Sequence, residues 1–408
     1  MLGRRRFLGL GAGAALGSLA SAALPPRAFG ATTAAPRPDV AGHSYLSARA
    51  DARGQYHATR FDLHGRVMLD HPLPGRGHGS ALHPEGHEAV MFSRRPGTFL
   101  MVFDLQANRP RLQLPAAPGR IFNGHGVFAG TLLYATESVT HASASTTADN
   151  APAFQTAHVR QGVEAPGLAV GDGVIGVYDP RAGYRRIGEF PSHGLDPHDI
   201  RAMRSGALVV ANGGLLNHPD APRLKLNVDS MAPTLVYLDA ATGRLLGQYA
   251  LAPEHHQLSI RHLAIGEHDS VVVAMQYEGP STDRPPLIAL HAPASATLTL
   301  PELPDAVLAG LRNYCGSAAV DTSGRIAGIS SPRGGRTVFI DLADGRWLGE
   351  CPLADGCGIA AGPEAGSFIL SSGLGTVLLA RPDGPPQRLS GPPPMELSHW
   401  DNHLTLIA

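Results

Sequence analysis

The sequence predicts an all-β protein, a seven-bladed β-propeller whose ring is closed by pairing of the N- and C-terminal strands. Two observations lead to this prediction. A short apolar strand that ends near an aspartate recurs along the chain, and the copies are spaced by the roughly 40–50 residues that a four-stranded blade needs. Glycine (49 residues) and proline (35 residues) also interrupt the chain often, which disfavours a helical bundle.

The recurring strand marks seven copies of one unit. The copies end at Asp62, Asp104, Asp179, Asp239, Leu290, Asp341 and Arg381. In the second copy we predict four strands, over 78–83, 88–94, 98–104 and 111–114. The final apolar segment, 403–407, has no blade after it and is predicted to complete the first blade, which leaves no exposed edge. A pair of β-sandwiches is the alternative architecture, but it does not explain a sevenfold recurrence.

Two of the gaps between copies are long because they contain insertions, predicted at 137–172 and 213–233. Both fall between the second and third strands of adjacent copies. In a propeller this connection returns to the mouth of the channel at which the innermost strands begin. We therefore expect both insertions on the same face as the starts of the inner strands, where long loops on a rigid scaffold often bind ligands.

Composition limits the possible partners. Lys plus Arg is 33 and Asp plus Glu is 34, for a net charge of −1, which argues against nucleic acid as the main partner. Hydrophobic residues make up 43% of the chain and charged residues 16%, so the protein can bury a core.

The first 30 residues are typical of an export signal. Arg4-Arg5-Arg6 precedes an apolar, Gly/Ala-rich stretch, and small residues follow near Ala31. The paired arginines indicate the twin-arginine (Tat) route. We predict a signal peptide at 1–30, a linker at 31–42, and a single propeller domain at 43–408 that is periplasmic and has no membrane span. An uncleaved anchor helix is the alternative, although the apolar stretch is short for one.

Histidine and cysteine recur at the predicted start of the inner strand. The aligned residues are His78, His125, His198, His262, Cys315, Cys357 and His399, with Trp400 as the alternative in the last copy. Inner strands line the central channel, so rotational symmetry would gather these side chains at one mouth. Imidazole and thiolate are ligands for copper, zinc and iron. The predicted metal ligands are His78, His125, His198, His262, Cys357 and His399; the alternative is that each histidine bonds a neighbouring backbone.

The same mouth is predicted to carry polar residues that bind a ligand. The second insertion holds a dense polar run, and arginines occupy the matching turn in other copies, where they could frame an anion. The candidate ligand-binding residues are Asn212, His218, Arg261 and Arg333. The three cysteines do not form a disulfide framework, and a pairing of Cys351 with Cys357 is left open.

Several motifs resemble a known family. They include 124–128 (GHGVF), 173–179 (GVIGVYD), 210–214 (VANGG), 257–264 (QLSIRHLA) and 330–334 (SSPRG). Together with the twin-arginine start, they resemble the bacterial domain-of-unknown-function family 1513 over nearly the whole mature chain. The resemblance implies a periplasmic propeller encoded near imelysin-like and di-haem-peroxidase-like proteins, and hence a role in iron or copper handling. It supplies no catalytic residues.

Three functions follow from these patterns. The first is binding of a transition metal, iron or copper in preference to zinc, or of a metal-containing ligand, in metal acquisition. The second is a non-catalytic platform that docks an imelysin-like partner. The third is an oxidoreductase or hydrolase; it ranks last because the sequence has no nucleophile elbow, phosphate loop or HExxH motif.

Overall fold

Seven small antiparallel sheets follow one another along the chain, and the innermost strand of each packs against that of the next. The computed structural model describes residues 42–140, 171–218, 221–389, 391 and 395–408. The sheets are the blades of a seven-bladed β-propeller, which confirms the predicted fold class. The predicted signal peptide and nearly all of the predicted linker lie outside the described residues. Val40–Ala408 forms one compact unit. In the described part of the chain, no helix is long and apolar enough to cross a membrane.

The blades are numbered in chain order. Blade 1 contains β1 (Ser44–Ala50), β2 (Tyr56–Asp62) and β3 (Val67–Pro72); blade 2 contains β4 (Gly77–Leu82), β5 (Glu88–Ser93), β6 (Phe99–Asp104) and β7 (Arg109–Pro115). Blade 3 contains β8 (Arg120–Ala129), β9 (Leu132–Val139), β10 (Asp172–Asp179) and β11 (Arg185–Leu195). Blade 4 contains β12 (Pro197–Ala202), β13 (Ala207–Asn212), β16 (Thr234–Asp239) and β17 (Leu245–Tyr249), with the hairpin β14 (Asn217–His218) and β15 (Ala221–Lys225) inserted.

The later blades follow the same order. Blade 5 contains β18 (Leu258–Ile265), β19 (Val271–Tyr277) and β20 (Ile288–His291), and the helix α1 (Asp305–Gly310) follows it. Blade 6 contains β21 (Ser317–Val320), β22 (Ile326–Ser331), β23 (Arg336–Asp341) and β24 (Trp347–Pro352). Blade 7 contains β25 (Gly356–Ala361), β26 (Phe368–Ser372), β27 (Val377–Arg381) and β28 (Gly384–Arg388), and β29 (His399–Trp400) and β30 (Thr405–Ile407) end the chain.

The aspartates that end the recurring strand are turn residues. Asp62 Oδ1 accepts the backbone N–H groups of His64 and Arg66, both at 2.9 Å. Asp104 and Asp239 each bond the backbone two and three residues ahead in the same way. A short carboxylate that bonds the backbone just ahead of it stabilises a tight turn. The aspartate of the sequence repeat therefore marks the turn between the third and fourth strands of a blade.

The ring closes through two short strands of the C-terminal segment, both of which pair with β1. Trp400 in β29 pairs with Arg49, and Leu406 in β30 pairs with Tyr45. The predicted closure by N- and C-terminal strands is therefore correct. The predicted continuous strand over 403–407 is wrong, because residues 401–404 leave the ladder between β29 and β30.

The two insertions connect the second and third strands of blades 3 and 4. The first is shorter than predicted, because Glu137–Val139 belongs to β9 and Asp172 to β10. Most of it, residues 141–170, lies outside the described residues. The second runs between Asn212 and Thr234 and carries the β14–β15 hairpin.

The hydrophobic core lies between blades rather than at the centre of the ring. Phe92 of blade 2 packs on Phe122 of blade 3 with ring centroids 6.0 Å apart. Phe339 of blade 6 packs on Phe368 of blade 7 at 5.1 Å. Because each blade buries its apolar faces against its neighbours, the axis is left to the first residues of the inner strands, which are polar.

Candidate functional site

Five buried histidines meet at the axis of the ring. They are His78, His125, His198, His262 and His403, with at most 8% of each residue exposed. Neighbouring rings have centroids 4.4 to 5.6 Å apart. His262 of blade 5 and His403 of the closing segment in blade 1 are 4.9 Å apart although their blades are not adjacent. This contact across the ring places the cluster on the axis itself.

Local irregularities in the inner strands occur at or beside four of the five histidines. The strand ladder is interrupted between Gly77 and Ser80 in β4, between Phe122 and Gly126 in β8, between Pro197 and Asp199 in β12, and between Ile260 and His262 in β18. A β-bulge leaves a residue out of the ladder and re-aims its side chain. The residues left out of the ladder are 78–79 in β4, 123–125 in β8, His198 in β12 and Arg261 in β18, and they include three of the five histidines.

Two glycines make room for the packed rings. Gly124 has φ +102°, and a Cβ atom there would lie 2.6 Å from Cδ2 of His78. A Cβ on Gly79 would lie 2.8 Å from Nδ1 of His125. Both separations are shorter than real Cβ contacts, so neither position accepts a side chain while His78 and His125 keep their places.

Three of the histidines have an outer partner on Nδ1. His78 Nδ1 lies 2.5 Å from Oδ1 of Asp401, and His125 Nδ1 lies 3.4 Å from Oδ1 of Asp199. His403 Nδ1 lies 3.2 Å from Oγ of Ser317. These contacts leave Nε2 as the free nitrogen of each ring. Nε2 of His125 and Nε2 of His403 are buried and have no hydrogen-bond partner within the described residues.

The remaining two histidines are arranged differently. Nδ1 of His198 lies 3.4 Å from Nη2 of Arg261. A guanidinium only donates, so this nitrogen accepts and the neutral ring carries its proton on Nε2. Nδ1 of His262 is buried and unpartnered in the part of the chain that is described. His198 is thus set up as a donor at Nε2, whereas the carboxylate partners of His78 and His125 make Nε2 the acceptor of those two rings.

Burial keeps the imidazoles neutral. Desolvation lowers the pKa of His78, and it lowers the pKa of His125, His198, His262 and His403 well below the usual value. Burial also opposes ionisation of Asp401, but its contacts with His78 and Arg76 outweigh this and hold its pKa below the usual range. Neutral imidazole is the form that binds metal ions.

The geometry provides two overlapping groups of three potential ligands. One is His78, His125 and His403; the other is His125, His198 and His262, and in each group the ligand atoms lie within 4.8 Å of one another. The first group fits a metal better, because each of its rings has an outer partner on Nδ1 and offers Nε2. Metal-bound histidines almost always donate their other ring N–H to a carboxylate, carbonyl or water.

A cavity of about 620 Å³ opens onto the cluster. Its walls include His78, His198 and His262 together with the side chains of Arg76, Arg94, Arg95 and Arg261. Asn123, Tyr314 and Asn402 also line it. A molecule in this cavity would therefore contact both imidazoles and guanidinium groups.

The structure brings together four of the six predicted metal ligands: His78, His125, His198 and His262. His399 does not join them. It is exposed, and its Nδ1 lies 2.7 Å from the carbonyl oxygen of Gly373. The break in the ladder after Trp400 moves the axial position four residues along, so His403 takes the place predicted for His399.

Cys357 also lies outside the cluster. Its Sγ lies 3.4 Å from the carbonyl oxygens of Trp400 and Asp401, and burial raises the pKa of its thiol to about 12. Burial likewise raises the pKa of Cys315 to about 12 and that of Cys351 to about 11. All three cysteines are free, so the pairing of Cys351 with Cys357 is not formed.

The predicted ligand-binding residues separate into different places. Arg261 lines the cavity. Arg333 lies over the ring of Tyr314, 4.8 Å from its centroid, at the edge of the same cavity. Asn212 is buried and donates to Ser192 O at 2.8 Å, which is a structural contact. His218 is in β14, and its side chain lies outside the described ones.

Sequence reasoning missed His403, Asp401 and Asp199 as parts of the site. The signal for the first was a second histidine four residues after His399. Asp199 directly follows an aligned histidine. Asp401 gave no signal, because its partner His78 is 323 residues away.

Comparison with known proteins identifies a family and a fold. No protein with a curated description matches the sequence. Among solved structures, the hydrazine synthase of Kuenenia stuttgartiensis is similar, with a TM-score of 0.55 and 13% identity over 81% of this chain and 94% of that chain. At this identity the likeness shows a shared fold alone. The family model described as "Protein of unknown function (DUF1513)" matches residues 71–407, and the chain belongs to that family.

Proposed function

We propose that this protein binds a transition metal ion through Nε2 of His78, His125 and His403. The observation that carries the proposal is the shared arrangement of these rings. Each has Nδ1 against an oxygen of Asp401, Asp199 or Ser317, which leaves Nε2 as the nitrogen that can bind a metal ion. Three imidazoles leave at least one coordination position open, and His78 lines the adjoining cavity.

The unpartnered nitrogens support a ligand at this position. Nε2 of His125 and Nε2 of His403 have no hydrogen-bond partner among the described residues. A buried polar atom without a partner costs about 1–3 kcal/mol. A metal ion at the axis would satisfy both atoms at once, which a hydrogen bond to a single neighbouring blade would not do.

The donor set narrows the metal. No thiolate is available, because burial keeps Cys357 protonated and its sulfur faces backbone carbonyls. Imidazole nitrogen suits iron, copper and zinc, and copper(II) binds such sites most tightly among the divalent ions of the first row. We propose iron or copper as the cargo, acquired in the periplasm, which accords with the twin-arginine start and the family resemblance.

A second candidate function is docking of a partner, such as an imelysin-like protein, at the same mouth. The inserted segment of blade 4 exposes Leu224 and Leu226, at 53% and 51%. Lys225, between them, is ion-paired with Glu278, which lies 3.9 Å from the cavity residue Arg261. A Leu224→Ser/Leu226→Ser variant that still captured the imelysin-like protein would exclude this segment as the docking site.

The metal proposal is tested by elemental analysis and titration. Protein purified from the periplasm is assayed for iron, copper and zinc, and the metal-free form is titrated with each ion. We expect about one metal ion per chain in the parent protein and a loss of binding in His125→Ala. His256→Ala, which changes an exposed histidine outside the site, is the matched control. Absence of high-affinity binding in the parent, or equal binding in parent and His125→Ala, would overturn the proposal.

A further inference from the structure

The cavity beside the histidine cluster is lined by more arginines than there are acidic side chains paired with them. Arg76 bonds Asp401, Arg95 is paired with Asp196, and Arg261 lies near Glu278. The side chain of Arg94 has no hydrogen bond or ion pair within the described residues, although it lines the same cavity. Of the four arginines that line the cavity, three are paired with an acidic side chain and Arg94 is not.

The position of Arg94 makes this charge significant. Its backbone N–H bonds the carbonyl oxygen of Arg76 at 2.8 Å, which holds the two arginines side by side. Partial desolvation in the cavity lowers the pKa of Arg94 and the charge of Arg76 lowers it further, whereas the nearby carboxylate of Asp401 raises it; the residue as a whole is exposed to solvent. An anion that enters the cavity would therefore meet a guanidinium that has no direct ion pair of its own.

The distribution of the arginines indicates the kind of anion. The acid partners of Arg76, Arg95 and Arg261 come from different parts of the ring: Asp401 belongs to the closing segment, Asp196 precedes blade 4, and Glu278 follows β19, the second strand of blade 5. A single compact phosphate would contact only part of this set. A small molecule with several separated carboxylates matches forked donors at several points. A cavity of about 620 Å³ is within the size range of small-molecule sites.

We propose that this cavity binds an oligocarboxylate anion, with Arg94, Arg76 and Arg261 as its cationic contacts and one of its carboxylates as a further ligand to the metal. The co-ligand role rests on the proposed metal site; recognition of the anion by the arginines does not. Asp401 joins the two, because its carboxylate bonds both Nδ1 of His78 and Nε of Arg76. Metal and anion should each increase the affinity of the protein for the other, by the same factor.

Calorimetric titration separates these contributions. The probes are tricarballylate, which has three carboxylates and no hydroxyl group, citrate, and inorganic phosphate. Each is titrated into metal-free protein and into protein loaded with copper(II). We expect both tricarboxylates to bind the metal-free protein, and to bind the loaded protein more tightly. Arg94→Gln should weaken binding about tenfold or more. The control Arg109→Gln, on the exposed outer strand of the same blade, should not change it.

Each outcome decides between the two proposals. If copper(II) binds but neither tricarboxylate does, the anion site is refuted and the metal site stands. If the tricarboxylates bind an Arg94-dependent site but no metal binds, the anion site stands and the co-ligand role is refuted. Binding of phosphate alone, or unchanged binding in Arg94→Gln, would refute recognition of an oligocarboxylate.

Discussion

Nδ1 of His78 lies 2.5 Å from Oδ1 of Asp401, although 323 residues separate them in the chain. The contact exists because the C-terminal segment pairs with β1 and so returns beside blade 2. The other carboxylate oxygen of Asp401 accepts from Nε of Arg76 at 2.5 Å. One buried carboxylate thus orients a proposed metal ligand and a cation of the adjoining cavity.

Replacing Asp401 by Asn should weaken the metal site without removing a ligand. The amide cannot supply the negative charge that orients His78 and increases its basicity, so we expect metal affinity to fall about 10- to 100-fold. The measurement is metal titration of folded variants. Asp70→Asn, which disturbs a comparable pair with Arg49 in blade 1, is the control. Equal affinities in the two variants would show that Asp401 does not position His78.

His403 and His399 provide a matched pair for the same site. Removal of the His403 imidazole takes away one of three proposed ligands, so His403→Ala should lose metal binding by at least about 100-fold. His399→Ala removes an exposed ring that bonds only Gly373 and should leave binding unchanged. Metal titration of both variants checks this. If His399→Ala instead lost metal binding and His403→Ala did not, His399 would be the ligand, as the alignment of the copies predicted.

The contrast between His403 and His399 shows where sequence reasoning ended. The blades were predictable because strand, turn aspartate and spacing recur, and the four histidines His78, His125, His198 and His262 follow from that repeat. The closing segment has no such support. Its ladder breaks after Trp400, so the position that faces the axis is set by how the ring closes and not by the local pattern.

Gly124→Ala should disturb both stability and the site. Its φ of +102° disfavours a side chain, and the added Cβ would lie 2.6 Å from the ring of His78. We expect a loss of about 2–4 kcal/mol in the free energy of unfolding, measured in urea, together with weaker metal binding. Gly130→Ala is the control on the same blade, since its φ is +58° and nothing lies within 4 Å of a Cβ there. It should cost only about 1 kcal/mol.

The cysteines should behave as free, unreactive thiols. All three are buried, and burial raises the pKa of Cys315, Cys351 and Cys357. Ellman's reagent should therefore react slowly with the native protein and titrate three thiols after unfolding without reductant. One thiol per unfolded chain would instead reveal a disulfide.

Asp321 should make stability depend on acid at the contact between blades 6 and 7. Its carboxylate accepts from the Ser323 hydroxyl and from the N–H of Gly366, each at 2.7 Å. Burial opposes ionisation, but these hydrogen bonds outweigh it and lower the pKa of Asp321. The stabilisation is therefore present above the unfolded pKa, about 3.9, and is lost as pH falls through the lower folded value.

Asp321→Asn tests this dependence. At pH 7 it should reduce the free energy of unfolding by about 1–2 kcal/mol. The difference from the parent protein should shrink below about pH 4, where the parent carboxylate also becomes protonated. Urea titrations at several pH values measure it, with the exposed Asp383→Asn as the control. A difference that stayed constant across this range would contradict the role given to the charge.

The physical reason that the rest of the site escaped prediction is that its partners are distant in sequence. Asp199 follows His198 but contacts His125, and Ser317 of blade 6 meets His403. Such pairs depend on which inner strands adjoin across the axis. The free state of Cys351 and Cys357 has the same origin, since each is buried in a different cluster between blades.

The segment 399–407 fastens the ring and also carries His403 and Asp401. Without its docking on β1, the cluster would lack the imidazole of His403, and His78 would lack the carboxylate of Asp401. The proposed metal site is therefore complete only when the ring is closed by this segment. A bound metal ion would then indicate that the ring has closed.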